Sequence, residues 1–75
     1  MSRYRLVTEQ NGRPAHVSSL VLSAEEAQES LLAEAWLHDV HGWAVERYPG
    51  MIRVERDGKV RWIWVRGREP LEDEL

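Results

Sequence analysis

Met51-Ile52-Arg53-Val54-Glu55-Arg56-Asp57-Gly58-Lys59-Val60-Arg61-Trp62-Ile63-Trp64-Val65-Arg66 is the stretch that decides the fold. It consists of two β-branched and aromatic runs joined by Asp57-Gly58. Asp-Gly tolerates the two positive φ angles of a type I′ turn, whose twist matches that of paired strands. With that turn central, Arg56 pairs with Lys59, Val54 with Arg61 and Ile52 with Ile63. Between them Glu55 meets Val60, Arg53 meets Trp62 and Met51 meets Trp64. Side chains alternate along a strand, so Trp62 and Trp64 point away from Ile63 and Val65.

Just upstream, Trp43-Ala44-Val45-Glu46-Arg47-Tyr48 alternates as a strand and Pro49-Gly50 turns it into the hairpin. A tight turn there sets Trp43 and Val45 beside Val54 and Ile52. One face is then Trp43, Val45, Ile52, Val54, Ile63 and Val65, which is the expected core. The reverse face carries Ala44, Glu46, Tyr48, Met51, Arg53, Val60, Trp62, Trp64 and Arg66. Pro49-Gly50 favours a type II turn, which splays strands, so a longer loop or bulge competes with the tight turn. A one-residue slip would exchange the faces of that strand.

The helix that should cover the core begins at Ser23-Ala24-Glu25-Glu26. Ser23 can accept from the Glu26 N–H while the Glu26 side chain reaches back, a capping box, and Leu22 takes the staple position. Glu25 and Glu26 also meet the positive end of the helix dipole. Good helix formers run to His41, and Gly42 suits the left-handed residue after the cap. Ala24, Ala27, Leu31 and Ala35 with Leu32, Trp36 and Val40 recur at helical spacing and are expected to face the sheet.

Before the helix, Arg3 to Gln10 reads as a strand and Asn11-Gly12 as a second primed turn. A partner strand over Ala15 to Leu22 would pair Thr8 with Ala15, Leu6 with Val17 and Tyr4 with Ser19. Tyr4, Leu6, Ala15, Val17 and Val21 then share one face, with Val7, His16, Ser18 and Leu20 on the other. Pro14 cannot donate to a ladder, which marks a free edge. After Val65 the pattern gives way to Gly67, Pro70 and Glu72-Asp73-Glu74. Residues 69–75 are expected to form an acidic, disordered tail after a single domain over 1–68.

The fold class is therefore α+β: one small domain ordered β-β-α-β-β-β, a mostly antiparallel sheet with one helix packed on one face. Strand directions permit the order 2-1-5-4-3, in which every neighbour is antiparallel.

The 75 residues include no cysteine and four tryptophans. Neither disulfides nor a thiolate zinc site can support so small a core. Packing must supply its stability, and each buried aromatic removes roughly 150–250 Å² from water. No apolar run is long enough to cross a bilayer, and no cleavable leader pattern opens the chain, so a soluble cytoplasmic protein with no membrane contact is expected. The net charge of −3 disfavours a globally basic nucleic-acid binder. Of the ten basic residues only Lys59 is lysine. With abundant Ala, Glu and Val, that usage fits a GC-rich bacterial or bacteriophage coding sequence.

Catalytic chemistry finds little to use. The serines occupy no nucleophile elbow, and the glycines are spaced as turn and cap residues rather than as a phosphate loop. A chain this short also leaves little volume for a pocket. Glu34, His38 and His41 line one edge of the helix at a spacing that suits a metal. Histidines near a helix C-terminus are equally explained by the dipole and by capping, and no second group supports a metal centre. The expectation is no metal, no cofactor and no enzyme activity.

The reverse face remains. Tyr48, Met51, Arg53, Trp62, Trp64 and Arg66 combine aromatic, methionine and arginine side chains as interface cores do. Self-covering is the competing reading, with Trp62 resting on the Arg53 stem. The reading taken is a non-catalytic protein–protein interaction module, binding a second copy of itself or acting as adaptor or inhibitor of a larger protein. The alternative is a single-stranded nucleic-acid binder that stacks bases on Trp62, Trp64 and Tyr48 with Arg53, Arg61 and Arg66 nearby.

Overall fold

The computed structural model describes residues 3–18 and 22–68, apart from the side chain of Arg68. The order is β1 (Arg3–Gln10), β2 (Arg13–Val17), α1 (Ala24–Val40), β3 (Ala44–Tyr48), β4 (Met51–Arg56) and β5 (Lys59–Arg68). Among the described residues the strands form one five-stranded sheet in the order β2-β1-β5-β4-β3, antiparallel throughout. The helix packs on one face. The expected α+β architecture and strand order both hold.

The β4–β5 register is the one Asp57-Gly58 dictates, from Arg56↔Lys59 to Met51↔Trp64. Asp57 and Gly58 have φ of 51° and 79°, as a type I′ turn requires, and Asn11 and Gly12 repeat the pattern at 50° and 80°. Pro49-Gly50 closes tightly, with Tyr48↔Met51 paired and only Gly50 at positive φ within the turn. Its type II tendency therefore costs no register. The Gly50 carbonyl accepts from the Val65 N–H at 2.9 Å, which ties the turn to β5.

The first hairpin departs from expectation. Gln10↔Arg13 and Glu9↔Pro14 pair as a two-residue turn requires, but Thr8 meets His16 and Val7 meets Val17. Ala15 is the extra residue of a bulge, placed just after Pro14, which has no N–H to give the ladder. The slip turns Val17 away from Leu6 and onto the reverse face with Val7. β2 also stops at Val17 rather than Leu22, although Leu22 exchanges two backbone hydrogen bonds with Tyr4. The expectations for Ser19, Leu20, Val21 and the tail 69–75 lie outside the described residues.

β5 runs past the expected break to Arg68. Gly67 lies opposite Tyr4, and a Cβ there would sit 2.7 Å from the tyrosine ring. The aromatic side chain thus covers a strand glycine and keeps the β1–β5 ladder going.

The helix ends are as the residues specify. The Glu26 N–H donates to Ser23 Oγ at 3.2 Å, and the Ser23 N–H donates to Glu26 Oε1 at 2.9 Å. At the other end Gly42, at φ 85°, donates to the Asp39 carbonyl and Trp43 donates to that of His38. Those two bonds are a Schellman motif.

The core is Leu31 and Ala35 of the helix against Ile52, Val54 and Ile63, flanked by Leu6, Trp43, Val45 and Val65. The helix buries Ala27, Leu31, Ala35 and His38. Leu32, Trp36 and Val40, expected beneath it, instead face outward. A sheet covers one side of a helix, and the apolar positions here span more than one side. The small Ala27 and Ala35 permit close approach to the sheet, with Leu31 and His38 packed beside them, and Leu32, Trp36 and Val40 fall on the other side of the helix.

Candidate functional site

The reverse face of the sheet gathers the residues singled out in the sequence. Met51↔Trp64 and Arg53↔Trp62 pair across β4 and β5, Tyr48 joins through Met51, and Arg66 pairs with Arg5 of β1. Alternation along these strands sets all six on the side away from the helix.

Much of this face is occupied by its own side chains. The Tyr48 and Trp62 rings stack with centroids 6.1 Å apart, and the Arg53 guanidinium carbon lies 5.9 Å from the Trp62 ring centroid. Arg53 is held at 2.9 Å by Glu46 and at 3.0 Å by Glu55. The Glu55 hydrogen bond, with Glu46 in support, pushes the Arg53 pKa up. The Tyr48 hydroxyl donates to Glu46 at 2.9 Å, and that bond raises the phenol pKa. Both groups keep their protons in this network. Around Trp62 two carboxylates face one guanidinium, so the local charge is negative.

Farther along the same face Val7 is only 5% exposed, with Trp64 opposite it on β5 and Val17 on β2. Trp62 and Trp64 are half-buried. The sheet surface is therefore a second, thinner apolar cluster rather than a bare platform. Arg61 does not belong to it. It pairs with Val54 and projects to the helix side, opposite in face to Arg53 and Arg66.

There Arg61 completes a different cluster. Its guanidinium carbon lies 4.5 Å from the Trp43 ring centroid, Nε donates to Gln10 Oε1 at 2.9 Å, and Nη1 lies 3.3 Å from His38 Nε2. The His38 ring meets Trp43 edge-on at 5.2 Å, and its Nδ1 lies 2.7 Å from the Glu34 carbonyl oxygen. Both ring nitrogens of His38 are thus engaged within the protein, and the Glu34 carboxylate is 4.0 Å from Nδ1. His41 forms the exposed C-cap. Among the described residues no three His, Asp or Glu side chains come together as a metal-holding group. The burial of His38 was signalled by its spacing from Leu31 and Ala35, which continues the inner stripe.

A surface not singled out in the sequence is the outer side of α1. Trp36 is 62% exposed, Leu32 and Val40 are each 57% exposed, and Leu37 is also exposed. Leu32, Trp36 and Val40 step by four residues, with Ala33 and Leu37 alongside. At 100° per residue this stripe lies roughly opposite the buried one. Outward positions nearer the N-terminus are Glu25 and Glu29, both exposed. The signal was available: an apolar pattern wider than one helix face requires a second contact.

A concavity of about 550 Å³ lies at the β1–β2 turn, lined by Gln10, Asn11, Arg13, Pro14 and Ala15. It is larger than the chain length suggested, but its lining offers neither a nucleophile nor an acid–base pair. Among the described residues no helix is long and apolar enough to cross a membrane. No family model, curated protein or solved structure matches this chain.

Proposed function

We propose that the protein is a non-catalytic protein–protein interaction module whose principal docking surface is the outer stripe of α1. The observation that carries this reading is the exposure of Leu32, Trp36, Leu37 and Val40 on a helix whose opposite side is already buried. A helix with a second apolar stripe opposite its buried one gains from a second covering layer, and the sheet supplies only the first. Contiguous exposed apolar surface of this kind marks contact sites, and tryptophan is the residue most enriched at their energetic centres.

The Tyr48–Trp64 sheet face ranks second as a protein-binding surface, because Tyr48 and Arg53 already contact Trp62 and Trp64 is half-buried. Nucleic-acid stacking is less favoured still. Trp62 has ring partners, Glu46 and Glu55 lie on the same face, and Arg61 is on the other.

Photo-crosslinking tests the assignment. A benzophenone side chain at position 36, and separately at positions 64 and 16, is irradiated in extract of the source cell. The expected result is a discrete adduct from position 36, competed by excess unmodified protein and not by the Trp36→Glu variant. Adducts only from position 64 would shift the docking surface to the sheet. Equal, uncompeted labelling at all three positions would overturn the interaction reading.

A further inference from the structure

We infer that the occupant of the α1 stripe is a second copy of this chain, packed with the two helices antiparallel about a two-fold axis at Trp36. This rests on the docking reading above and names its partner.

The stripe is self-complementary. Leu32 and Val40 lie four residues to either side of Trp36, so a two-fold axis there sets Leu32 of one copy against Val40 of the other. Trp36 meets its own counterpart. Such an isologous contact is the commonest way for identical chains to associate. Ala33 leaves room beside the indole for the second helix to approach, as Ala27 and Ala35 do for the sheet.

Charge selects the orientation. The outward positions before the stripe are Glu25 and Glu29. The far end of the helix is flanked by the β4–β5 turn, tied to it by Arg56 Nη1, which donates to the His41 carbonyl at 2.9 Å. Arg56 and Lys59 pair across that turn on the helix side, with Arg61 one step further in. Asp57 lies within the turn, 3.6 Å from Arg56 Nε, and Asp39 flanks the stripe, so with Arg61 held by Gln10, His38 and Trp43 this end is near neutral. A parallel pair would stack Glu25 and Glu29 on their own copies. The antiparallel pair avoids that and carries them toward the Arg56–Lys59 turn of the second copy. It also opposes the helix dipoles.

Size sets the strength. The exposed apolar stripe amounts to roughly 400 Å² per copy, within the range of the largest patch on an ordinary monomer. With its charged flanks the contact lies near the low end of specific interfaces, about 1,200 Å² in total, which fits micromolar rather than nanomolar pairing. The small core makes the added burial useful, since seven hydrophobic residues are buried in the described chain.

Sedimentation of the full purified chain from about 1 to 200 μM tests the proposal, with the concentration window set by that affinity class. The expected mass rises from 8.8 kDa to twice that value. Trp36→Glu and, independently, Leu32→Glu should stay at the monomer mass with an unchanged circular dichroism spectrum. Orientation is read by cysteine pairing, which the cysteine-free sequence permits. A mixture of Leu32→Cys and Val40→Cys chains should crosslink at least tenfold faster than Leu32→Cys alone. A constant 8.8 kDa mass overturns self-pairing. If the position-36 photoprobe nonetheless gives its competed adduct, the docking reading survives without it. Faster crosslinking of Leu32→Cys with itself overturns the antiparallel arrangement.

Discussion

Arg61 shows how one side chain can close the open end of a small core. Its guanidinium only donates, so His38 Nε2 must accept from it, and the imidazole proton therefore lies on Nδ1, facing the Glu34 carbonyl. Trp43 lies against both groups. Replacing Arg61 by Met keeps much of the stem but leaves His38 Nε2 and Gln10 without their donor. The expected loss in urea unfolding is about 1–2 kcal/mol, whereas the exposed Arg66→Met should change stability by less than about 0.5 kcal/mol. Ile63 is almost fully buried against the helix, so Ile63→Ala should cost about 2–5 kcal/mol in the same assay. The alternation about Asp57-Gly58 made the position of Ile63 readable from sequence alone. It also placed Arg61 opposite Val54. That alternation already kept Arg61 off the face of Arg53 and Arg66, but its contacts with Trp43, Gln10 and His38 depend on three-dimensional neighbours that no local pattern contains.

Turn and cap chemistry carries most of the element-scale structure. Both Asn-Gly and Asp-Gly turns, the capping box at Ser23 and the glycine C-cap at Gly42 were legible because each is a demand that one or two residues place on φ or on an orphan hydrogen bond. Ser23→Ala should lower stability by about 1 kcal/mol with an unchanged denaturant slope. The backbone and side-chain hydrogen bonds from Ser23 hold the Glu26 carboxyl below the usual carboxylate range. A depressed carboxylate contributes stability that is present above its unfolded pKa and is lost as pH falls through the folded one. Glu26→Gln should therefore flatten the acid limb of a stability–pH curve, and because the group is exposed the change will be small. The bulge at Ala15 was not legible. Pro14 announced a free edge, but where the ladder absorbs its extra residue depends on β5 holding β1 from the other side. The same tertiary support explains why Gly67 continues a strand: Tyr4 lies over it.

At the scale of the molecule, the described residues form one sheet and one helix, with apolar side chains on more surfaces than those two elements cover together. The reverse sheet face meets this with its own Tyr48–Trp62–Arg53 contacts and the Val7 cluster. The helix has no such means, because Leu32, Trp36 and Val40 point away from every described strand. The sequence pattern showed both sets of apolar residues on α1. Together they span more than one sheet can cover, so Ala27, Leu31 and Ala35 lie inside and Leu32, Trp36 and Val40 do not. Trp36 is accordingly the first proposed point of contact with other chains, and Trp62 and Trp64 only the second.

Hydroxyl-radical footprinting of the four tryptophans, read by mass spectrometry in dilute and in concentrated protein, tests that assignment most directly. In dilute solution Trp36 should oxidise fastest, ahead of Trp43, Trp62 and Trp64. On concentration Trp36 alone should become protected. Protection of Trp62 and Trp64 with Trp36 still reactive, or a Trp36 already shielded in the isolated monomer, would contradict it.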